Sequence, residues 1–120
     1  MRLRTVSMAL VVVGSVLTLI VSWYAIQALV ARAKLHAFER RVFVGQTLAE
    51  VRRVAREQNA EELNPSEQLV FGGKIYRLHI FRLYEYPRLG TPCSATVDEH
   101  MVFYRGKVTD LDSVDDSVCF

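Results

Sequence analysis

The residues best suited to chemistry are few in this 120-residue chain. Its three histidines, His36, His79 and His100, stand in none of the short spacings that are typical of metal sites. One alternative is a discontinuous site formed by His79, His100 and Asp98 on neighbouring strands, but a histidine on a half-exposed strand is more often simply solvated. The sequence therefore predicts neither a metal site nor a cofactor.

A thiol offers the second kind of chemistry, because a cysteine with a histidine as its base can act as a nucleophile. Cys93 and His100 are the candidates, but only Arg88 adjoins Cys93 with a positive charge that would favour the thiolate. The chain also lacks the Gly-x-Ser-x-Gly, phosphate-loop and dinucleotide-binding motifs. We predict no catalytic residues and no enzyme activity, with a small cysteine-dependent hydrolase anchored in the membrane as the alternative.

The two cysteines are better suited to a disulfide. Cys93 and Cys119 flank the last predicted hairpin, and an antiparallel hairpin brings its two ends to the same edge. An even number of cysteines in a small domain is typical of an oxidising compartment. We predict that the pair is bonded and stabilises the domain by about 3 to 4 kcal/mol. The alternative is two reduced, buried thiols in a cytosolic domain.

The elements that position these residues begin with an apolar segment. Thr5 to Ala31 carries no charged residue, and a helix of this length can cross a bilayer. We predict that residues 1–31 form an uncleaved transmembrane anchor that contacts lipid through residues 5–31. The alternative is a cleaved secretory signal, for which the apolar segment is too long. Basic residues flank both ends of the segment, so the cysteine pair decides the orientation: a single-pass inner-membrane protein with a periplasmic C-terminal domain.

Residues 32–42 are predicted to be a juxtamembrane helical linker, and residues 43–120 a small α+β domain. Within the domain Thr47 and Glu50 form a capping box, so a helix begins at Thr47. Its buried stripe consists of Leu48, Val51, Val54 and Ala55. Asn64-Pro65 is predicted to end this helix.

Strands follow Pro65. Gly72-Gly73 and Arg105-Gly106 are predicted hairpin turns, which gives an antiparallel sheet of about four strands packed against one or two helices. In the second strand Tyr76, Leu78, Ile80 and Tyr84 share one face, while Arg77, His79, Phe81 and Glu85 share the other. Because the second face is mixed, we expect it to be partly solvated. The acidic residues 114–120 are expected to be loosely held except through Cys119.

Charge and size exclude two classes of function. From Arg32 onward the chain carries 13 basic and 13 acidic side chains, so the formal charge of +2 comes from Arg2 and Arg4. Such a balance argues against a nucleic-acid-binding protein. The part outside the apolar segment is also too small for a two-lobed enzyme with a deep cleft.

The order of elements resembles a known family. The motif Val44-Gly45-Gln46-Thr47, a helix, an aromatic hairpin and the final hairpin at 101–111 are similar to the BamE/SmpA/OmlA domain of bacterial envelope proteins. The resemblance covers roughly residues 41–114, and this chain lacks the lipobox cysteine of those lipoproteins. It implies a helix packed on an antiparallel sheet, and a protein that acts by binding other envelope proteins.

We therefore expect a single-span envelope protein whose periplasmic domain is a protein-binding accessory or scaffold subunit, with a role in envelope assembly implied by the resemblance. The expected docking surface is aromatic and basic, since such residues are favoured at interfaces. It comprises Tyr76, Arg77, Phe81, Arg82, Tyr84 and Arg88. For the aromatic rings among them, closing the core is the explanation that the residues alone favour, and docking is the functional alternative. A further alternative is a regulator that acts through its transmembrane helix, where Gly14 and Ser15 would permit close approach of another helix.

Overall fold

The computed structural model describes residues 2–120, apart from the side chains of Asn64 and Pro65. Its elements are α1 (Arg2–Glu39), α2 (Leu48–Glu57), β1 (Glu61–Phe71), β2 (Lys74–Pro87), β3 (Cys93–Tyr104) and β4 (Lys107–Cys119). The chain divides between Val30 and Ala31 into two compact units. The α+β class predicted from the sequence is confirmed.

The first unit is the apolar part of α1. Most of its side chains are exposed, and the Thr18 hydroxyl donates to the Gly14 carbonyl at 2.8 Å, which pairs a polar group within the helix itself. Within residues 2–120, α1 is the helix that is long and apolar enough to cross a membrane. It continues without a break to Glu39.

The second unit contains a four-stranded antiparallel sheet in the order β1-β2-β3-β4. Gly72 and Gly73 both have positive φ, as the predicted two-residue turn requires. Arg105 and Gly106 also both have positive φ and form the turn between β3 and β4. Since Arg77 pairs with Phe103, both turns lie at the same end of the sheet. An isolated bridge from Thr47 to Lys107 attaches the start of α2 to this end.

The core lies between one face of the sheet and the helical segments 31–39 and 48–57. Phe38 of α1 packs against Phe81 of β2, with ring centroids 6.0 Å apart. Phe38 and Val42 are buried, so the segment predicted as a linker contributes to the domain core. The buried cluster consists of Phe38, Val42, Val51, Val54, Ala55, Phe81, Leu83, Met101, Phe103 and Val108.

The mixed face of β2 is solvated only at its ends, where Arg77 and Glu85 are exposed. His79 and Phe81, between them, lie on the face that the helices cover, and both are buried, whereas Tyr76, Leu78 and Ile80 are half-buried. His79 can be buried because it is paired: its Nδ1 lies 3.0 Å from a carboxylate oxygen of Glu62.

Helix α2 begins after Thr47 as predicted, and the Thr47 hydroxyl accepts the Glu50 backbone N–H at 3.4 Å. Its predicted end at Asn64-Pro65 is wrong. The helix ends at Glu57, because Asn59 adopts a positive φ of 55° and the Ala60 N–H donates back to the Ala55 carbonyl at 2.7 Å. Strand β1 then starts at Glu61.

The predicted disulfide is confirmed. Cys93 and Cys119 are bonded, and they stand directly opposite each other in the β3–β4 ladder. Residues 114–119 are paired along this ladder, so the acidic end is held by backbone pairing along its length and not through Cys119 alone. Backbone pairing continues past the bond, since the Phe120 N–H donates to the Pro92 carbonyl at 3.1 Å.

Replacing Cys119 by serine should lower the free energy of unfolding by about 3.5 kcal/mol, the chain-entropy value for the 26-residue separation of the two cysteines. Urea unfolding of the wild type and of C119S, each with and without reductant, measures this. The difference should vanish in reductant. Two alkylated cysteines per chain after unfolding without reduction would contradict the bond.

Candidate binding surface at the turn end of the sheet

The structure does not gather the six predicted docking residues on one surface. Phe81 is fully buried against Phe38, so its prediction as a docking residue is wrong. Arg82 donates through Nε to Asp98 at 3.1 Å, and this hydrogen bond raises the pKa of Arg82. Arg82 is therefore held by an internal ion pair.

The other predicted docking residues are spread over the domain. Tyr84 does not share a face with Tyr76: the ladder shifts between Arg82 and Tyr84, and the Tyr84 ring lies 5.1 Å from Lys34 Nζ of α1. Tyr76 stacks near Tyr104 at 5.0 Å between ring centroids. Arg77 is exposed on β2, and Arg88 is exposed in the loop that follows.

Of the residues considered for chemistry, His79 belongs to a network of polar side chains with Glu62 and Arg52. Glu62 accepts two hydrogen bonds from Arg52, at 2.8 and 3.0 Å, and it also contacts His79. The hydrogen bond from Arg52 is the main cause of the lowered pKa of Glu62. This network joins α2, β1 and β2. Within residues 2–120 the structure brings together no group of three or more His, Cys, Asp or Glu side chains that could hold a metal ion.

Exposed apolar side chains instead gather at the end of the sheet that carries both hairpin turns. Three belong to the β1–β2 hairpin: Val70 is 65% exposed, Phe71 72% and Ile75 57%. Two more, Phe43 at 60% and Val44 at 63%, lie in the loop before α2. We call residues 43–46, 70–77 and 103–107 the turn end.

The loop that carries Phe43 and Val44 is held in place on both sides. The buried Gln46 side chain donates to the Arg41 carbonyl at 3.1 Å and accepts the Phe43 N–H at 3.3 Å. The Gly45 N–H donates to the Val108 carbonyl at 2.8 Å, and the Val108 N–H donates to the Gln46 carbonyl at 2.9 Å. Gly45 has a φ of +97°, a conformation that favours glycine. The loop therefore presents its two apolar residues on a fixed backbone.

The turn end also carries only positive charge. Residues 43–46, 70–77 and 103–107 contain no carboxylate, and their charged side chains, all exposed, are Lys74, Arg77, Arg105 and Lys107. Two of them stack on one ring: Lys74 Nζ and Arg105 Cζ lie 5.5 and 5.3 Å from the Tyr104 centroid. The surface is therefore apolar with a cationic border.

Among the residues of the turn end, only Tyr76 and Arg77 were predicted from the sequence to be docking residues. Phe43, Val44, Val70, Phe71 and Ile75 were missed because apolar residues next to predicted strands and helices are expected in the core. The available clue was the flanking of Gly72-Gly73 by apolar residues on both sides.

No protein-family model matches the chain, and the searches of curated proteins and of solved structures also return no match. The similarity to the BamE/SmpA/OmlA domain therefore stays a prediction. Function has to be inferred from the geometry of the chain itself.

Replacing Gln46 by alanine should destabilise the domain by about 1 to 3 kcal/mol, because the Arg41 carbonyl and the Phe43 N–H would each lose a partly buried hydrogen bond. Exposed Gln68 on β1 offers the matched control, and Gln68→Ala should change stability by less than about 0.5 kcal/mol. Urea unfolding of both variants measures the difference. Equal effects would show that the Gln46 side chain does not hold the loop.

Proposed function

We propose that this protein is a single-span membrane protein whose α+β domain binds another protein through the turn end, as an accessory or scaffold subunit of the bacterial envelope. The observation that carries the proposal is the set of five exposed apolar side chains at one end of the sheet, where the charged side chains are all cations. Soluble domains rarely expose a contiguous apolar patch unless it serves an interaction.

The proposed location follows from two features. Helix α1 is long and apolar enough to span a bilayer, which supports a membrane anchor. The bond between Cys93 and Cys119 supports an oxidising compartment for the domain, since cytosolic thiols are usually kept reduced. Together they favour an inner-membrane protein with its domain in the periplasm.

The chemistry of the surface defines the kind of partner. Phe43, Phe71 and Ile75 are large enough to enter apolar pockets, and aromatic anchors of this kind dominate the energy of many interfaces. The cationic border then selects a partner whose apolar patch is surrounded by aspartate and glutamate. The resemblance to envelope proteins that act by binding other proteins supports the same proposal.

A second candidate function involves α1 alone. A Cβ atom added at Gly14 would meet nothing within 4 Å, so this side of the helix can be approached closely by another helix. A regulator that pairs through its transmembrane helix would use this position, and changes at the turn end would leave its activity unaffected. The hydrolase alternative needs a free Cys93 thiol, which the structure shows bonded to Cys119.

A photo-crosslinking amino acid at position 71 should form an adduct with one defined protein when the full chain is expressed in its native host. The same amino acid at position 120 is the matched control, because Phe120 is also an exposed phenylalanine, 88% exposed, but lies outside the turn end. Mass spectrometry identifies the adduct. Adducts at position 71 that contain only lipid would replace the protein partner with a membrane surface and contradict the proposal.

Phe71→Ser should then weaken binding of the identified protein at least tenfold, as expected for an interface anchor, and Lys74→Glu should weaken it by removing charge complementarity. Phe120→Ser and Arg53→Glu are the controls, since Arg53 is exposed on α2. Binding of the purified full chain in mild detergent measures these affinities. Loss of binding in Gly14→Leu, with no effect of the turn-end variants, would favour the transmembrane regulator.

A further inference from the structure

Glu99 is a carboxylate buried without a hydrogen-bond partner. It lies in the middle of β3, opposite Phe81 of β2 and Ser113 of β4, on the face that the helices cover. Its side chain is fully buried, and both carboxylate oxygens lack a partner among the described residues. An unpaired carboxylate in such a place strongly favours its neutral, protonated form.

Two of the elements around Glu99 add negative charge. Glu39, the last residue of α1, and Asp112 of β4 are the two charges that act on it. On the same face of β2, His79 is already paired with Glu62. From α2, the buried residues are Val51, Val54 and Ala55, while its Arg52 is taken by Glu62.

Burial, and then the charges of Glu39 and Asp112, raise the pKa of Glu99 to about 7 from an ordinary value of 4.5. A raised carboxylate pKa means that the folded state holds its proton more tightly than an open state does. The contribution of the Glu99 proton to the stability of the folded state is therefore complete below pH 4.5 and is lost as the pH rises towards 7. Above that pH, Glu99 is a charge within an apolar core.

The helical residues 31–39 are the covering that this charge disturbs most directly. Phe38 packs on Phe81, which is the cross-strand neighbour of Glu99. The next residue, Glu39, ends α1, and a negative charge at a helix C-terminus already opposes the helix dipole. An ionised Glu99 would place a second carboxylate beside this weak final turn.

We propose that Glu99 is a proton-dependent latch between the sheet and residues 31–39 of α1. With Glu99 protonated, these residues pack on the sheet; with Glu99 ionised, they open more often. The latch depends on the domain core alone and holds whichever partner the turn end binds.

Hydrogen exchange tests the latch. The full chain is placed in phosphatidylcholine nanodiscs, and amide exchange is followed by mass spectrometry at pH 5.5 and pH 8.0, corrected for intrinsic exchange rates. For a pKa of about 7 in the closed state and 4.5 in the open state, the opening equilibrium of residues 31–39 should rise roughly 25-fold between these pH values. In Glu99→Gln, which keeps the shape and cannot ionise, the rise should disappear.

Glu67 on β1 provides the control, because it is exposed and Glu67→Gln should behave as the wild type does. If Glu99→Gln does not fold, Glu39→Gln tests the same latch, since loss of this neighbouring charge should reduce the rise in exchange. An unchanged rise in Glu99→Gln or Glu39→Gln would overturn the proposal. So would a flat response in the wild type, or equal acceleration in every element of the domain.

Discussion

The packing of Phe38 against Phe81 is the contact on which the domain depends. A four-stranded sheet needs its apolar face covered, and a ten-residue α2 is too short to cover it alone. Residues 31–39 of α1 complete the covering, so one continuous helix belongs to the apolar segment at its start and to the domain core at its end. The Arg52–Glu62–His79 network then holds α2 and the first two strands together.

This covering leaves the two hairpin turns bare. The helices cover Phe81, Met101 and Phe103, which are buried. In the β1–β2 hairpin, the residues between Arg77 and the turn include Val70, Phe71 and Ile75, and these three are exposed. The turn end also differs in charge from β4. Cations occupy the turn end, while Asp110, Asp112, Asp115 and Asp116 follow one another along β4. A surface with apolar residues and one sign of charge is suited to a partner of the opposite sign, which is why the proposed function is assigned to this end.

Local signals in the sequence predicted local structure well. Thr47 with Glu50 marked the start of α2, Gly72-Gly73 marked a turn, and the hairpin between Cys93 and Cys119 predicted their bond. These features depend on a few neighbouring residues, so the sequence contains most of the information that they need.

Features that depend on distant contacts were not predictable in the same way. The register shift between Arg82 and Tyr84 places Tyr84 on the opposite face of the sheet from Tyr76. Such a bulge cannot be predicted from the residue types at this position. Burial of the His79 face required Glu62, which lay within the wrongly extended helix. Nothing in the sequence distinguishes Glu99 from an ordinary surface residue, because its burial depends on its place in the sheet between Phe81 and Ser113. The exposed apolar residues of the turn end were missed for the same reason, since the exposure of Phe71 depends on where the helices end.

The central claim is that a protein covers the turn end in the cell. Hydroxyl-radical footprinting of Phe43 and Phe71 measures this most directly, comparing the chain in a mild-detergent extract of native membranes with the purified chain in the same detergent. Phe120, also exposed, serves as the internal reference. We predict that Phe43 and Phe71 are oxidised several-fold more slowly in the extract, while Phe120 is unchanged. Equal oxidation of all three residues in both samples would contradict a protein partner at the turn end.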